Sequence, residues 1–401
     1  MKKIGFVTPW YGRDIPGGAE AELRGIVKHL QAAGIALEVL TTCIREFHSD
    51  WNQNYYREGI EEIDGIPVRR FPVRKRDTAA FDAVNYKLMS RFPVTHEEEK
   101  IFIREMANSP KLYDYIRDNQ EAYGLFVHIP YMFGTTYYGI RACPQKAVLI
   151  PCFHDESYVY MDIYKEEFSK LKGIIFLAKP EQELADRIFN LDKVRQGVLG
   201  AGVDSEYTGH GNDFRKKYGI GSPFILYAGR KDSGKNIDTL IQYFAEYKKR
   251  NRSDLKLLMI GGGHVNIPRD SRQDICDMGF VSAQDKWNAY AAAELLCQPS
   301  KNESFSLVIM ESWLNSRPVL VHGACAVTRN FVTEAEGGLY FNDYPEFEGC
   351  VNYLREHPDM AGHMGENGNR YVHENFVWDV VVKKYIGFLG SCACPAERTE
   401  G

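Results

Sequence analysis

The run FILYAGRKDSGKNIDTLIQYFAEYKKR, Phe224–Arg250, holds a strand, a loop and a helix in one breath of sequence. Phe224–Ala228 is a continuous apolar run of strand length, the pattern of a strand buried on both faces. Gly229 and Gly234 punctuate the residues that follow, and Ile237–Arg250 reads as a helix. A buried strand, a glycine-bearing loop and a helix make the repeating unit of an α/β protein with parallel strands.

The same unit recurs on both sides. Downstream, the sequence predicts strands at Leu255–Ile260, Phe280–Val281, Leu295–Pro299, Pro318–Val321 and Leu339–Phe341. Helices are predicted at Gln284–Ala293, Ser306–Ser316, Met360–Asn375 and Val377–Phe388. Upstream, strands are expected at Lys3–Thr8, Ala36–Thr41, Val68–Val73, Leu125–Ile129, Ala147–Pro151 and Ile174–Ala178. A helix over Glu20–Ala33 carries Leu23, Ile26, Val27 and Leu30 on one face and is followed by Gly34, and Pro180–Phe189 reads as another. Apolar periodicity fades between Gly200 and Tyr218, which marks a domain junction. Two successive α/β series joined by one linker predict twin Rossmann-like domains facing a cleft, residues 1–203 and residues 204–375. The tail from Ser391 to Gly401 reads as disordered.

Bulk properties narrow the class. A chain of 401 residues suits two domains of roughly 150–200 residues each. Apolar residues at 44% and charged residues at 26% are ordinary for a globular protein. The net charge of −5 speaks against a nucleic-acid partner, which would need a basic surface. Nine cysteines lie scattered, with no zinc-like CxxC pair, and fit a reducing cytoplasm better than a disulfide framework. The apolar run Ile4–Val7 is too short for a signal peptide, and no 18-residue apolar stretch is present to span a membrane.

The chemistry-bearing residues cluster just after predicted strands. Glu303-Ser-Phe-Ser-Leu-Val-Ile-Met-Glu311 sets two carboxylates eight positions apart across a strand-to-helix turn. Backbone N–H groups at Phe305, Ser306 and Leu307, with the helix N-terminus, suit an anion. The bland alternative is two unrelated glutamates. Arg230 and Lys235 share a loop with Gly229 and Gly234, where a planar fork and a compact charge could neutralise a diphosphate. A solvated basic turn is the alternative there. Gly17 and Gly18 open the first helix, as a phosphate or sugar approaching backbone N–H groups would require, though a plain tight turn also fits. His154, in Pro151-Cys-Phe-His154-Asp155-Glu156 at a strand C-terminus, could bind a sugar hydroxyl or be merely structural. Gly262 lies in the turn Gly261-Gly-Gly-His264 after another strand and could wall a nucleotide site. The chain contains no Asp-x-Asp, so no divalent metal held by that motif, and no other cofactor, is expected.

In order along the chain, GGAE at Gly17–Glu20, CFHDE at Cys152–Glu156, the AGR…GKN run at Ala228–Asn236, the Glu303/Glu311 pair and NFVWDVVVKKY at Asn375–Tyr385 resemble family 4 of the retaining glycosyltransferases. The resemblance implies the GT-B fold, with a crossover helix at 376–390 returning to the first domain. It implies that Arg230 and Lys235 grip the diphosphate of a UDP- or GDP-sugar. Glu303 would contact the transferred hexose, Glu311 the ribose hydroxyls, and His154 the sugar. Gly18 would approach from the opposite lobe, and backbone groups near Phe280 and Val281 would meet the base. Retention without a protein nucleophile implies front-face departure and attack, with charge on the leaving diphosphate as the main thing to stabilise. The acceptor would be a glycan, a lipid-linked glycan or a small molecule, chosen by loops such as Ser49–Tyr56 and Phe81–Lys100, and surface polysaccharide assembly is the family's usual setting. Ala201-Gly-Val-Asp204 and Gly261-Gly-Gly-His264 depart from the family's usual Asn-Gly-Val-Asp and Gly-Asp-Gly-Pro.

Two other readings use the same residues. One is a UDP-N-acetylglucosamine 2-epimerase-like enzyme of the same fold, which needs no acceptor. The other is a catalytically silent binding subunit, against which stands the presence of all four charged residues. The basic stretch Arg69, Arg70, Arg74, Lys75 and Arg76, followed by Tyr86, Leu88, Met89 and Phe92, offers a peripheral contact with the inner face of the cell membrane; a strand edge with solvated charges is the alternative.

Overall fold

The computed structural model describes residues 2–393, which fall into two compact α/β units. The first ends at Gly202 and resumes at Val381; the second runs Val203–Val380.

The first unit is built on an eight-stranded sheet of β1 (Lys3–Val7), β2 (Leu37–Thr42), β3 (Gly59–Ile63), β4 (Ile66–Phe71), β5 (Tyr123–His128), β6 (Ala147–Leu149), β7 (Gly173–Phe176) and β8 (Arg195–Val198). Its helices are α1 (Gly18–Ala32), α2 (Thr78–Met89), α3 (His96–Glu105), α4 (Pro110–Asn119), α5 (Gly134–Ala142), α6 (Ile163–Phe168) and α7 (Lys179–Ile188). The spatial order is β3-β4-β2-β1-β5-β6-β7-β8, parallel except for the edge strand β3. Asp64 and Gly65 join β3 to β4 with φ of 51° and 81°, the left-handed pair that a two-residue hairpin turn demands. Setting that edge strand aside, the sheet winds outward in both directions from β1, with its switch point between β1 and β5.

The second unit has six parallel strands, β9 (Phe224–Ala228), β10 (Lys256–Ile260), β11 (Ile275–Gly279), β12 (Leu295–Gln298), β13 (Val319–His322) and β14 (Gly338–Phe341). Its helices are α8 (Gly211–Tyr218), α9 (Ile237–Arg250), α10 (Ala283–Ala292), α11 (Leu307–Leu314), α12 (Ala326–Ala335), α13 (Tyr344–Glu356) and α14 (Pro358–Asn375). The order β11-β10-β9-β12-β13-β14 is the doubly wound one, with the switch point between β9 and β12. Strand β9 is buried along its whole length, as its unbroken apolar sequence requires. Ile225, Phe244, Leu257, Cys297, Leu320 and Phe347 pack together in the core.

The last helix, α15 (Trp378–Ala393), passes from the second unit to the first at Val381. Glycines make room for it: a Cβ on Gly173 would lie 2.8 Å from the Cys392 sulfur, and one on Gly197 would lie 2.8 Å from the Phe388 ring. The Tyr385 hydroxyl donates to the Gly200 carbonyl at 3.3 Å.

Several expectations need correction. No strand forms at Phe280–Val281: β11 stops at Gly279, where φ reaches 63°, and the Phe280 side chain stands 83% exposed. The segment Gly200–Tyr218 is not all linker, since α8 occupies its second half. Residues 376–380 stay with the second unit, because the Val203 amide donates to the Phe376 carbonyl at 2.8 Å and Val203 bridges Val377. Ser391–Ala393 continue α15; the rest of the expected disordered tail, 394–401, lies outside the described residues.

The basic stretch is not a free cationic face. Arg69 Nε pairs with Glu38 at 2.8 Å, Arg70 is buried against Glu61, and Arg74 reaches Glu105 at 2.8 Å. Arg76 lies 4.2 Å from the Phe81 ring centroid and 4.8 Å from that of Trp51. Burial opposes charge on Glu105, yet hydrogen bonds from Arg104, the Asp77 amide and Arg74 bring its carboxyl down to about 2. Of the five, only Lys75 is exposed. Tyr86, Met89 and Phe92 are exposed, as the apolar half of that reading expected. Among the described residues no helix is long and apolar enough to cross a membrane.

Candidate active site in the second unit

Parallel strands deliver all their C-terminal loops to one edge of the sheet. In the second unit the loops after β9 and β12 flank the switch point, and each contributes one charged residue. Lys235 Nζ, from the first loop, lies 2.7 Å from Glu303 Oε1, from the second. The Lys235 side chain is 27% exposed and that of Glu303 is 10% exposed, so the pair sits at the edge of solvent. Gln298, the last residue of β12, directs Nε2 toward the same Glu303 oxygen at 3.4 Å.

The loop after β9 is held in shape by its own residues. Asp232 caps a short turn by accepting from the Lys235 amide at 3.0 Å, and Arg230 folds back onto the same carboxylate. The Arg230 side chain is thus engaged by Asp232 and is 55% exposed. The Tyr227 hydroxyl donates to the Arg230 carbonyl at 2.5 Å, and burial, reinforced by Glu303 and Asp232, raises its pKa and keeps it protonated. Asn236 adopts φ of 56° and donates from Nδ2 to the Pro299 carbonyl at 3.0 Å, tying the loops after β9 and β12 together.

Ser306 immediately precedes α11 and takes φ of 112°, a conformation that costs a residue with a Cβ about 1–3 kcal/mol. Its Oγ is buried and has no hydrogen-bond partner among the described residues. Helix α11 begins at Leu307, so the first-turn amides lie directly after Ser306. Phe305 does not line the loop with its side chain; it is buried edge-on against Phe331 and Phe376 and anchors the turn. Glu311 is on α11, but the structure joins it to α10: Lys286 Nζ lies 2.5 Å from one oxygen and the Tyr290 hydroxyl donates to the other at 2.8 Å. Burial and Glu311 together raise the Tyr290 pKa, which secures it as donor. Lys286 and Tyr290 are four apart on one helix face, a spacing that could have flagged them.

The sequence reading also missed Lys231. Its side chain is 1% exposed and its ammonium is paired with Asp277 on β11. Asp277 accepts in addition from the Gly279 amide at 3.0 Å. The Lys231 amide donates to the Gly262 carbonyl at 2.7 Å, so the loops after β9, β10 and β11 are stitched side by side. Gly261 and Gly263 have no room for a Cβ, which would lie 2.1 Å from the Gly229 carbonyl oxygen and 2.4 Å from that of Lys231. Gly262 carries the Phe280 ring above it, with a Cβ there falling 2.6 Å from Cζ. Val281 is half-buried beside it.

The remaining candidates belong to the first unit. Gly17 takes φ of 139° and Gly18 begins α1, with open space where its Cβ would be. Glu20 of the same motif accepts from Trp10 Nε1 at 2.7 Å, which fixes the turn. His154 follows β6 and lies half-buried, its Nδ1 3.6 Å from Glu156.

Residues 212–371 match the family Glycosyl transferases group 1. The match lies wholly within the second unit and contains the Lys235–Glu303 pair and Glu311. Alpha-D-kanosaminyltransferase from Streptomyces kanamyceticus is 26% identical over 165 residues, 39% of this chain and 42% of that protein. The chain spans about half the length of the curated relatives it matches. Sucrose-phosphate synthase from Thermosynechococcus elongatus superimposes with a TM-score of 0.71 at 16% identity, over 98% of this chain and 99% of that one. Anabaena Alr3699/HepE in complex with UDP-glucose gives a TM-score of 0.67 at 15% identity, over 98% of this chain and 100% of that one. These likenesses show the fold: two parallel-sheet, Rossmann-like domains of the GT-B type, as expected. The stretch that matches the group 1 model carries the paired charges.

Proposed function

We propose that this chain is a retaining, metal-independent glycosyltransferase of family 4. It transfers a hexose from a UDP- or GDP-sugar to a glycan, glycolipid or small-molecule acceptor, with surface polysaccharide assembly as its setting. The observation that carries this reading is the Lys235–Glu303 pair spanning the switch point of a group 1 domain, where doubly wound sheets bind their ligands. The names of the relatives and the UDP-glucose bound to HepE support a nucleotide-sugar donor.

In this reading Lys235 exchanges Glu303 for the donor diphosphate, and Arg230 leaves Asp232 to join it. Both then oppose the charge that grows on the leaving phosphate, together with the α11 N-terminus. Glu303, released from its cation, accepts hydrogen bonds from the sugar hydroxyls and orients the ring. Glu311, already fixed by Lys286 and Tyr290, retains lone pairs for the ribose hydroxyls. No side chain is assigned as nucleophile. The glycosidic bond to phosphate breaks, the acceptor oxygen attacks the same face, and the departing phosphate oxygen takes the acceptor proton.

The test is Lys235→Ala assayed for transfer and for donor hydrolysis, with folding checked by thermal unfolding. Loss of one preorganised donor to a developing charge slows turnover about 100- to 1,000-fold. Near-normal turnover in a folded variant refutes the role. Proton NMR of the product settles the anomeric outcome, and activity in excess EDTA settles the metal. Product formed without any acceptor would point to an epimerase instead.

A further inference from the structure

The first unit contains a cavity of about 400 Å³, well within the size range that accepts a small ligand. Its walls come from the loop after β1, the segment after β2, and the β3–β4 edge hairpin. No residue of the loop after β5, and neither His154 nor its neighbours, lines it. The cavity therefore lies to one side of the β1/β5 switch point, displaced toward the sheet edge.

Its charges are unevenly satisfied. Arg70 is buried, paired with Glu61, donating to the Tyr11 carbonyl at 2.9 Å and lying 3.8 Å from the Tyr56 ring centroid. Arg13 makes a two-pronged pair with Asp64 at 2.5 and 3.2 Å. Arg45 lies 5.2 Å from the ring centroid of Tyr55, whose other surroundings leave it 61% exposed. Asp14 and Glu62, both exposed on the lining, have no hydrogen bond or ion pair among the described residues. All three cations are thus already matched, Arg45 by Glu46 at 3.9 Å, while two carboxylates that can only accept hydrogen bonds remain open. An anionic ligand would meet these carboxylates with little free positive charge to offset them. A ring bearing several hydroxyls matches them, and an exposed tyrosine supplies an amphipathic surface beside it.

We propose that this cavity is a subsite for a hydroxyl-rich, non-anionic sugar of the acceptor, one that does not itself react. The proposal rests on the glycosyltransferase reading above. It adds that the acceptor is an oligosaccharide or glycosylated molecule, because the ring held here is set aside from the switch point.

The probes are neutral maltotriose and chitotriose, with a sulfated trisaccharide of similar size as the anionic control. Saturation-transfer NMR should show a neutral trisaccharide on the wild-type chain and little of the sulfated one. Tyr55→Ala and the pair Asp14→Asn/Glu62→Gln change exposed side chains, and each should weaken that binding by roughly tenfold. A calorimetric titration with UDP on the same variants keeps the two readings apart. UDP binding that is retained, with the neutral-sugar signal unchanged by the substitutions, absent throughout, or exceeded by that of the sulfated sugar, overturns the subsite and leaves the donor site standing. Absence of binding by UDP, GDP and ADP would instead bring down the glycosyltransferase reading.

Discussion

The Lys231–Asp277 pair allows a quantitative test of how the donor loops are held. Lys231→Met removes the ammonium and keeps most of the side-chain volume. Breaking a buried pair by deleting one member costs about 3–5 kcal/mol, because the other charge is left behind. Here the two members are unequal: the Asp277 side chain is 27% exposed, while that of Lys231 is 1% exposed. Asp277 also keeps its bond from the Gly279 amide. The methionine variant should therefore sit near the lower end, about 3 kcal/mol. Asp277→Ala strands a cation with no water to reach it and should approach about 5 kcal/mol. For a unit of roughly 180 residues each kcal/mol lowers Tm by about 2–4 °C, so the expected losses are about 6–12 °C and 10–20 °C. The double variant should recover much of the loss, since neither charge remains. Calorimetry on all four proteins supplies the cycle. Equal losses under about 1 kcal/mol for the two single variants would mean that the pair acts like a surface bridge, and the argument from burial would fail. Because Lys231 lies in the loop that carries Lys235, the methionine variant should also raise the donor KM more than it lowers kcat.

Phe280→Ala should weaken UDP binding about fivefold in isothermal titration if the exposed ring stacks on the base, and unchanged affinity would exclude that contact. Tyr290→Phe deletes a charge-assisted bond to Glu311 and should lower the stability of the second unit by about 1.5 kcal/mol while raising the donor KM; an unchanged KM would separate Glu311 from the ribose. In the first unit, burial, reinforced by Glu181, pushes the Glu22 carboxyl well above the usual range, and burial likewise raises Glu181 to about 8. Both hold protons in the folded chain that the unfolded chain releases near pH 4.3, so their stabilisation is complete below that value and is lost as pH rises toward 8 and beyond. Tm should fall across pH 5–8.5, and Glu22→Gln should flatten the decline; parallel curves would refute the assignment.

Where one physical cause wrote a feature into the sequence, the feature was legible. Strand β9 and helix α9 follow from an unbroken apolar run and a glycine-bearing loop, and their observed bounds, Phe224–Ala228 and Ile237–Arg250, are those the sequence predicts. Strand β3 was hidden because it is an edge strand exposed at every residue but Ile63, so it carries no apolar alternation. Its only local signal was the turn Asp64-Gly65 between Ile63 and Ile66. Phe280–Val281 misled for the opposite reason: two apolar residues read as strand, although the left-handed Gly279 had already ended it.

The candidate site divides along the same line. Lys235 and Glu303 stand in loops whose positions are set by the strands before them, so recognising the strands placed both residues on one sheet edge. Whether they touch depends on which strands are neighbours, and only the order β9-β12 brings their loops together. Arg230 shares a loop with Lys235, yet its rotamer is decided by Asp232 two residues on, a contact that strand order does not determine. Lys231 is the extreme case. Between Arg230 and Asp232 it reads as one more solvated charge, and its ammonium is matched by Asp277 arriving on β11, 46 residues later in the chain. A charge that stabilises the site through a distant partner is therefore the kind of residue that sequence pattern conceals, while a charge offered to a ligand at a strand end is the kind it displays.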